Sequence, residues 1–338
     1  MTDSSPPPAV HRRPPRLPRR TRRLAAAAAA VLAVGAAALL VRGCDPEGGE
    51  LRTARRIPLP GSVAAGATLA VDRAGRAWVG EAGRLTALDS TGRVTARLPA
   101  GGGRAPRLLW WDDGGLAAAT PDGVALIDPR TGRTVASRRS AAPVARDPRG
   151  GWVYTATRGG GVLGLTADSL RPRWGWPDAG SPAGALAVSP LGDRVYVALE
   201  GSAPGGVEPA VQVRDAQSGR VLSELSTAAW VRVLEPGRGD TLFALVAGDV
   251  AALRHGPEGL VRLWSAGLVG LGVRRAEELR VSPAGGRIAV LARERGLRVL
   301  DAATGAVVAG TDEAPRDAAF DVGGRLWLLY PREIRIVR

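Results

Sequence analysis

The sequence predicts an all-β chain, a seven-bladed β-propeller closed by an N-terminal strand and preceded by one N-terminal transmembrane helix. Three observations carry this. A turn-plus-strand unit recurs seven times between residues 75 and 328. No helical period of useful length follows residue 50. An uncharged apolar run, residues 24–41, separates an arginine-rich tail from the repeats.

The N-terminal elements come first in the chain. Residues 1–23 are rich in Pro and Arg and show no apolar period, which predicts a disordered cytoplasmic tail. Residues 24–41, LAAAAAAVLAVGAAALLV, are near the lower limit for crossing a bilayer. Seven arginines precede this run and Arg42 alone follows at once, so the positive-inside rule places the tail inside and the body outside the cytoplasm. A single-pass anchor in the cytoplasmic membrane is the first reading. A cleaved secretory signal is the last. A lipoprotein signal stands before it as the second, because Val41-Arg42-Gly43-Cys44 resembles a bacterial lipobox and makes Cys44 a candidate lipidation site; Arg42 departs from that pattern. Residues 42–50 then read as a linker, and residues 51–338 as the propeller.

Charge and composition bound the function. The net charge is +14, and every basic residue is Arg. Residues 1–43 hold eight arginines against one acid, leaving 38 arginines against 31 acids in the rest. Half the excess thus sits in residues 1–43, nearly all of it in the tail, where it sets topology and meets anionic lipid. The body's arginines are scattered among acids, which argues against a nucleic-acid partner. A single cysteine excludes a disulfide framework, and two histidines, His11 and His255, exclude most histidine-built metal sites.

The repeat itself is a Gly-containing turn and a strand-like run. Aligning GRAWV (75–79), GGLAA (114–118), GWVYT (151–155), DRVYV (193–197), DTLFA (240–244), GRIAV (286–290) and GRLWL (324–328) stacks Trp78, Ala117, Tyr154, Tyr196, Phe243, Ala289 and Trp327. Their spacings, 37 to 47 residues, suit a four-stranded blade. A second run follows in each unit, for example LRVLD (297–301), and then an Asp-led turn such as DAATGA (301–306). Asp bonds nearby amides there, and Gly accepts positive φ. The seventh unit stops after its third strand. Residues 51–60, LRTARRIPLP, resemble the outer strand TGRVTARLPA (91–100) and are predicted to complete that blade.

At LRVLDAATGAVVA (297–309) and LAVSPLGDRVYVA (186–198) the chain resembles the YVTN-type and PQQ-like repeat propellers of bacterial envelope proteins. PQQ-like repeats carry a Trp several residues after the Thr-Gly turn; here only Trp174 and Trp264 stand near such a place, so no quinone cofactor is expected. No WD-type structural tetrad is evident.

The chemistry-bearing residues are few. HExxH, CxxC and phosphate-loop patterns are absent from the sequence. His255 falls in the turn RHGPEG (254–259) and reads as solvated. Asp72, Asp112, Asp113, Asp147 and Asp321 recur before the Gly turn and read as turn formers; a hydrolytic site would need acids at non-repeating positions. Neither a metal nor a cofactor is expected. The stacked aromatics read as packing between blades. Trp110, Trp111, Trp174 and Trp176 lie off that register and are candidate partner contacts. The expected function is therefore a membrane-tethered, extracytoplasmic, non-enzymatic scaffold for another envelope protein. The alternative is a channel-centred enzyme, a lactonase-like hydrolase or a quinoprotein dehydrogenase. Acids or arginines converging at one channel mouth, with metal affinity, would favour the enzyme; an apolar or aromatic rim patch on an empty channel would favour the scaffold.

Overall fold

The computed structural model describes residues 49–338 apart from 100–104, 111–115, 121–122, 130, 132, 140, 158–160, 178–179, 202–207, 274 and 293–295. The expected tail, transmembrane helix and Cys44 lie outside the described residues. Among those described, no helix is long and apolar enough to cross a membrane.

Two short strands open the body, β1 (Gly49–Glu50) and β2 (Thr53–Pro58). Blade 1 is β3 (Thr68–Val71), β4 (Ala77–Glu81), β5 (Arg84–Leu88) and β6 (Val94–Pro99). Blade 2 is β7 (Arg107–Trp110), β8 (Leu116–Thr120), β9 (Gly123–Ile127) and β10 (Thr134–Arg138). Blade 3 is β11 (Ala141–Arg146), β12 (Trp152–Ala156), β13 (Val162–Thr166) and β14 (Pro172–Trp176). Blade 4 is β15 (Ala183–Val188), β16 (Arg194–Leu199), β17 (Ala210–Asp215) and β18 (Val221–Ser226). Blade 5 is β19 (Val231–Pro236), β20 (Thr241–Val246), β21 (Asp249–Gly256) and β22 (Gly259–Gly267). Blade 6 is β23 (Glu278–Val281), β24 (Arg287–Ala292), β25 (Gly296–Asp301) and β26 (Val307–Thr311). Blade 7 is β27 (Asp317–Phe320), β28 (Leu326–Leu329) and β29 (Glu333–Val337), with β2 on its outer edge.

The closure follows the sequence reading. β2 runs antiparallel to β29, pairing Thr53 with Val337 and Pro58 with Glu333. Ile57 is fully buried there, against Leu88, Trp327 and Ile334. The linker expectation needs correction at its end. Gly49 and Glu50 pair in parallel with Ala309 and Gly310 of β26, adding a fifth strand to blade 6. A two-residue pairing leaves no period in the sequence, because main-chain groups on an open sheet edge accept any extended segment.

Each of the seven apolar clusters sits between two successive blades. Trp78 meets Leu116 and Ala118 of blade 2, Tyr154 meets Val195 and Val197 of blade 4, and Phe243 meets Ile288 and Val290 of blade 6. All seven stacked positions, Trp78 to Trp327, are buried. Burial of such side chains stabilises by roughly 1.5–3 kcal/mol each, so the core is distributed around the ring.

The recurring turns fix strand ends. Asp72 accepts bonds from the Arg76 amide (2.8 Å), Arg76 Nε (2.6 Å) and Trp78 Nε1 (3.3 Å). Asp321 repeats this with the Arg325 amide (2.9 Å), Arg325 Nε (2.7 Å) and Trp327 Nε1 (3.0 Å). Burial pushes the Asp321 carboxyl up, but the bonds from Trp327 and Arg325 outweigh it and hold it below the usual range. Asp301 accepts from the Ala303 and Thr304 amides and from the Thr304 hydroxyl, and these bonds hold its carboxyl low. Asp147 accepts from the Arg149 amide (2.9 Å). Asp112 and Asp113 lie outside the described residues.

Two turn glycines also receive the next-lower blade. Gly219 has φ +70°, and a β-carbon there would lie 1.8 Å from the Trp176 indole. Gly305 stands likewise under Trp264, whose Nε1 donates to the Ala302 carbonyl at 3.2 Å. Gly219→Ala should therefore lower stability by about 2–4 kcal/mol, from the left-handed backbone and overpacking. Gly248→Ala is the control, since φ is +90° but nothing lies within 4 Å. Equal thermal shifts for both variants would show that the Trp176 contact contributes nothing.

Candidate functional site

The meander in each blade runs β-strand to β-strand with alternating ends. The Asp-led turns therefore share one face, and the connections between blades share the other with the second-to-third strand loops. The first strand of each blade lines the ring's interior, as β27 against β3 shows at the seam.

Four of these inner strands bring charges together. Arg107 Nη2 of blade 2 donates to Glu235 Oε1 of blade 5 at 2.7 Å. These blades are not neighbours, so this ion pair spans the channel. Arg280 of blade 6 donates to Glu278 at 2.7 Å and to Asp317 of blade 7 at 3.4 Å, and lies 3.8 Å from Glu235. Asp317 also accepts the Leu69 amide of blade 1 at 2.8 Å. Five blades thus meet in one network.

The register explains the placement. The inner-strand partners of the stacked positions are Ala70, Leu109, Ala145, Ala187, Glu235, Arg280 and Ala319. Only blades 5 and 6 carry charge at this level; Glu278 and Asp317 stand two residues above it. Burial pushes the Glu235 and Asp317 carboxyls up, against the attraction of Arg280, which Arg107 reinforces at Glu235. Burial disfavours the Arg280 cation as well, but Glu278, Asp317 and Glu235 outweigh it and hold it charged.

These are acids at non-repeating positions. The sequence signal was available: RLLW, VRVLEP, EELRV and RDAAF carry charges where the other first strands are apolar. The period of the second strands does not report it, because these charges stand on the first strands. Half of the condition for an enzyme is therefore met, and the channel is not the empty one expected of a scaffold, since these five side chains bridge it. For the other half, no group of three or more His, Cys, Asp or Glu is arranged to hold a metal among the described residues.

The sequence-predicted contacts separate. Trp110 ends β7, and Trp111 lies outside the described residues. Trp174 is half-buried, stacked on Trp176 at 4.9 Å and 17°, with Tyr154 at 5.6 Å. Trp176 departs from the expected exposed position: it is buried, because it fills the junction of blades 3 and 4 over Gly219, with Arg214 across its ring. His255 also differs from a turn residue. It pairs with Leu260 at the end of β21, half-buried, and the turn shrinks to Pro257 and Glu258. Burial and Arg194 pull its imidazole below the ordinary value.

An exposed aromatic that sequence reasoning missed is Trp230. It lies in the connection from β18 to β19, 45% exposed, with the Arg232 guanidinium 5.4 Å from its ring. Val269, 83% exposed, lies on the same face in the next inter-blade connection.

The fold and this channel define the class, a seven-bladed β-propeller. No protein family and no curated protein sequence matches the chain. Among solved structures it is similar to the β-propeller domain of Cps50 (Swd1) from Myceliophteria thermophila, with TM-score 0.70 and 14% identity over 85% of this chain and 99% of that one. It is also similar to a chain of the mitotic checkpoint complex, with TM-score 0.65 and 13% identity over 88% and 95%. At these identities the likeness speaks for the fold alone.

Proposed function

We propose that the protein is a membrane-tethered, extracytoplasmic scaffold of the YVTN or PQQ-like envelope type, binding another envelope protein without turning over a substrate. The observation that carries this is the pairing of a channel spanned by Arg107 and Glu235 with an exposed Trp230 and Val269 on the loop-bearing face. Each carboxylate of the network is engaged by a guanidinium, which suits a strut between blades better than a general base. Rigid sheets that present loops and a Trp–Arg pair suit recognition. The chain of the mitotic checkpoint complex, a protein assembly, is a neighbour in the same sense. Residues 1–23 face the cytoplasm in this reading, their arginines against anionic lipid, with residues 24–41 or a lipid on Cys44 as the tether.

A photo-crosslinking amino acid placed at 269 in cells should trap one or a few envelope proteins, and Trp230→Ala in the same chain should remove the adduct. The same probe at Trp111 tests that candidate contact, and at Trp174 it reports the outer strand β14. Adducts at none of these positions would end the scaffold reading. For the tether, alkaline phosphatase fused after Arg338 should be active; an inactive fusion beside a fluorescent cytoplasm-only reporter would reverse the topology.

The enzyme reading keeps one observation in its favour, the convergence of Glu235, Glu278 and Asp317 with two arginines. Stoichiometric calcium in the purified full chain, or a quinone absorbance bleached by an alcohol, would favour it over the scaffold.

A further inference from the structure

A cleft of about 310 Å³ lies where β1 and β2 cross from blade 6 to blade 7. Its apolar walls are Leu51, Val299, Val308, Phe320, Leu326 and Val337. Arg52, Arg287 and Arg338 also line it. All three arginines are exposed, and their guanidinium groups enter no ion pair or hydrogen bond with the described residues. By contrast, Arg298 of β25 is paired with Asp312 and Arg335 of β29 with Glu313. Glu50 is the one acid lining the cleft, so the excess charge is positive.

This combination is selective. Three arginines against the single carboxylate of Glu50 leave a net positive cleft that attracts an anion. The apolar walls meanwhile expose surface that water leaves favourably. A volume near 310 Å³ is at the small end of ligand sites, which range over roughly 300–1,000 Å³. We infer that this cleft binds a small amphipathic anion, a medium-chain carboxylate, its chain against Phe320 and Val299 and its head among Arg287, Arg338 and Arg52. Arginine suits the head because its planar fork can meet a carboxylate with two parallel bonds. The site is separate from the channel and from the loop-bearing face, and it stands whether or not the scaffold reading does.

Decanoate carrying a diazirine on its chain is the probe, applied to the full chain. Photolabel should map to peptides holding residues 49–52, 308–309 or 320–326. Unlabelled decanoate should displace it, and decyltrimethylammonium, with the same tail and opposite charge, should not. Arg287→Gln with Arg338→Gln should cut labelling at those peptides about tenfold or more, as loss of charge-assisted bonds implies. The melting temperature should hold, since neither side chain has a partner to lose. Arg287→Lys with Arg338→Lys should retain most of the label. Displacement by the cation as readily as by decanoate, unchanged labelling in the Gln pair, or label spread outside the cleft would each overturn the proposal. If the Gln pair melts lower, the single variants Arg287→Gln and Arg338→Gln decide it by the same readout.

Discussion

A chain lacking residues 51–60 should melt well below the intact protein, or aggregate. β2 supplies the whole outer edge of blade 7, and its removal leaves β29 with an open row of main-chain groups. It also removes Ile57, fully buried among Leu88, Trp327, Ile334 and Ile336. Truncating such a side chain to Ala costs about 2–5 kcal/mol, and each lost main-chain bond about 1 kcal/mol. The loss lands on the contact that joins the chain's last blade to its first, where β27 packs on β3. Calorimetry with size-exclusion chromatography reads it. Ile57→Ala gives the graded version, and Arg55→Ala, on an exposed position of the same strand, should stay within about 0.5 kcal/mol. A truncated chain that melts with the intact one would show that the ring is not closed by this strand.

Replacing Arg280 with Met should lower stability by about 3–5 kcal/mol, because it strands Glu278 and Asp317 in a partly dehydrated channel and leaves Glu235 with Arg107 alone. Their side chains are 19%, 32% and 5% exposed for Glu235, Glu278 and Asp317. The pH dependence carries the charge signature. Burial already raises Glu235 and Asp317, so between the unfolded and folded values the folded state binds more protons. Stability from such groups is gained as pH falls through the folded value and lost as it rises. Without Arg280 the two are raised further, so the variant's deficit should be largest near pH 8 and shrink toward pH 5. Asp317→Asn in the Arg280→Met background should recover part of it. A deficit that is flat with pH would assign the loss to packing alone.

The blade count, the closing strand and the buried aromatic of each unit were legible in one dimension. They rest on local devices that repeat with the chain. A four-stranded unit must turn at fixed intervals, and Asp and Gly mark those turns because their backbone bonds are made within a few residues, as at Asp72, Asp301 and Asp321. An apolar face must likewise recur at the same strand position for every blade to pack on the next. The candidate contacts were less legible. Trp174 and Trp176 read alike in sequence, yet one is half-buried and the other buried, because only Trp176 meets the bare backbone of Gly219 in the following blade.

What tertiary structure alone decided is which distant residues meet. Arg107 and Glu235 are 128 residues apart, and they touch because ring closure brings opposite inner strands across one channel. Nothing local requires either charge, so no period announces them. The added strand at Gly49 and Glu50 has the same character: it is held by main-chain groups of β26, which carry no residue identity. The cleft with Arg52, Arg287 and Arg338 arises where three separate segments converge. Short-range bonding and burial are written into the repeat, whereas the chemistry of this propeller lies where blades that differ in sequence face one another.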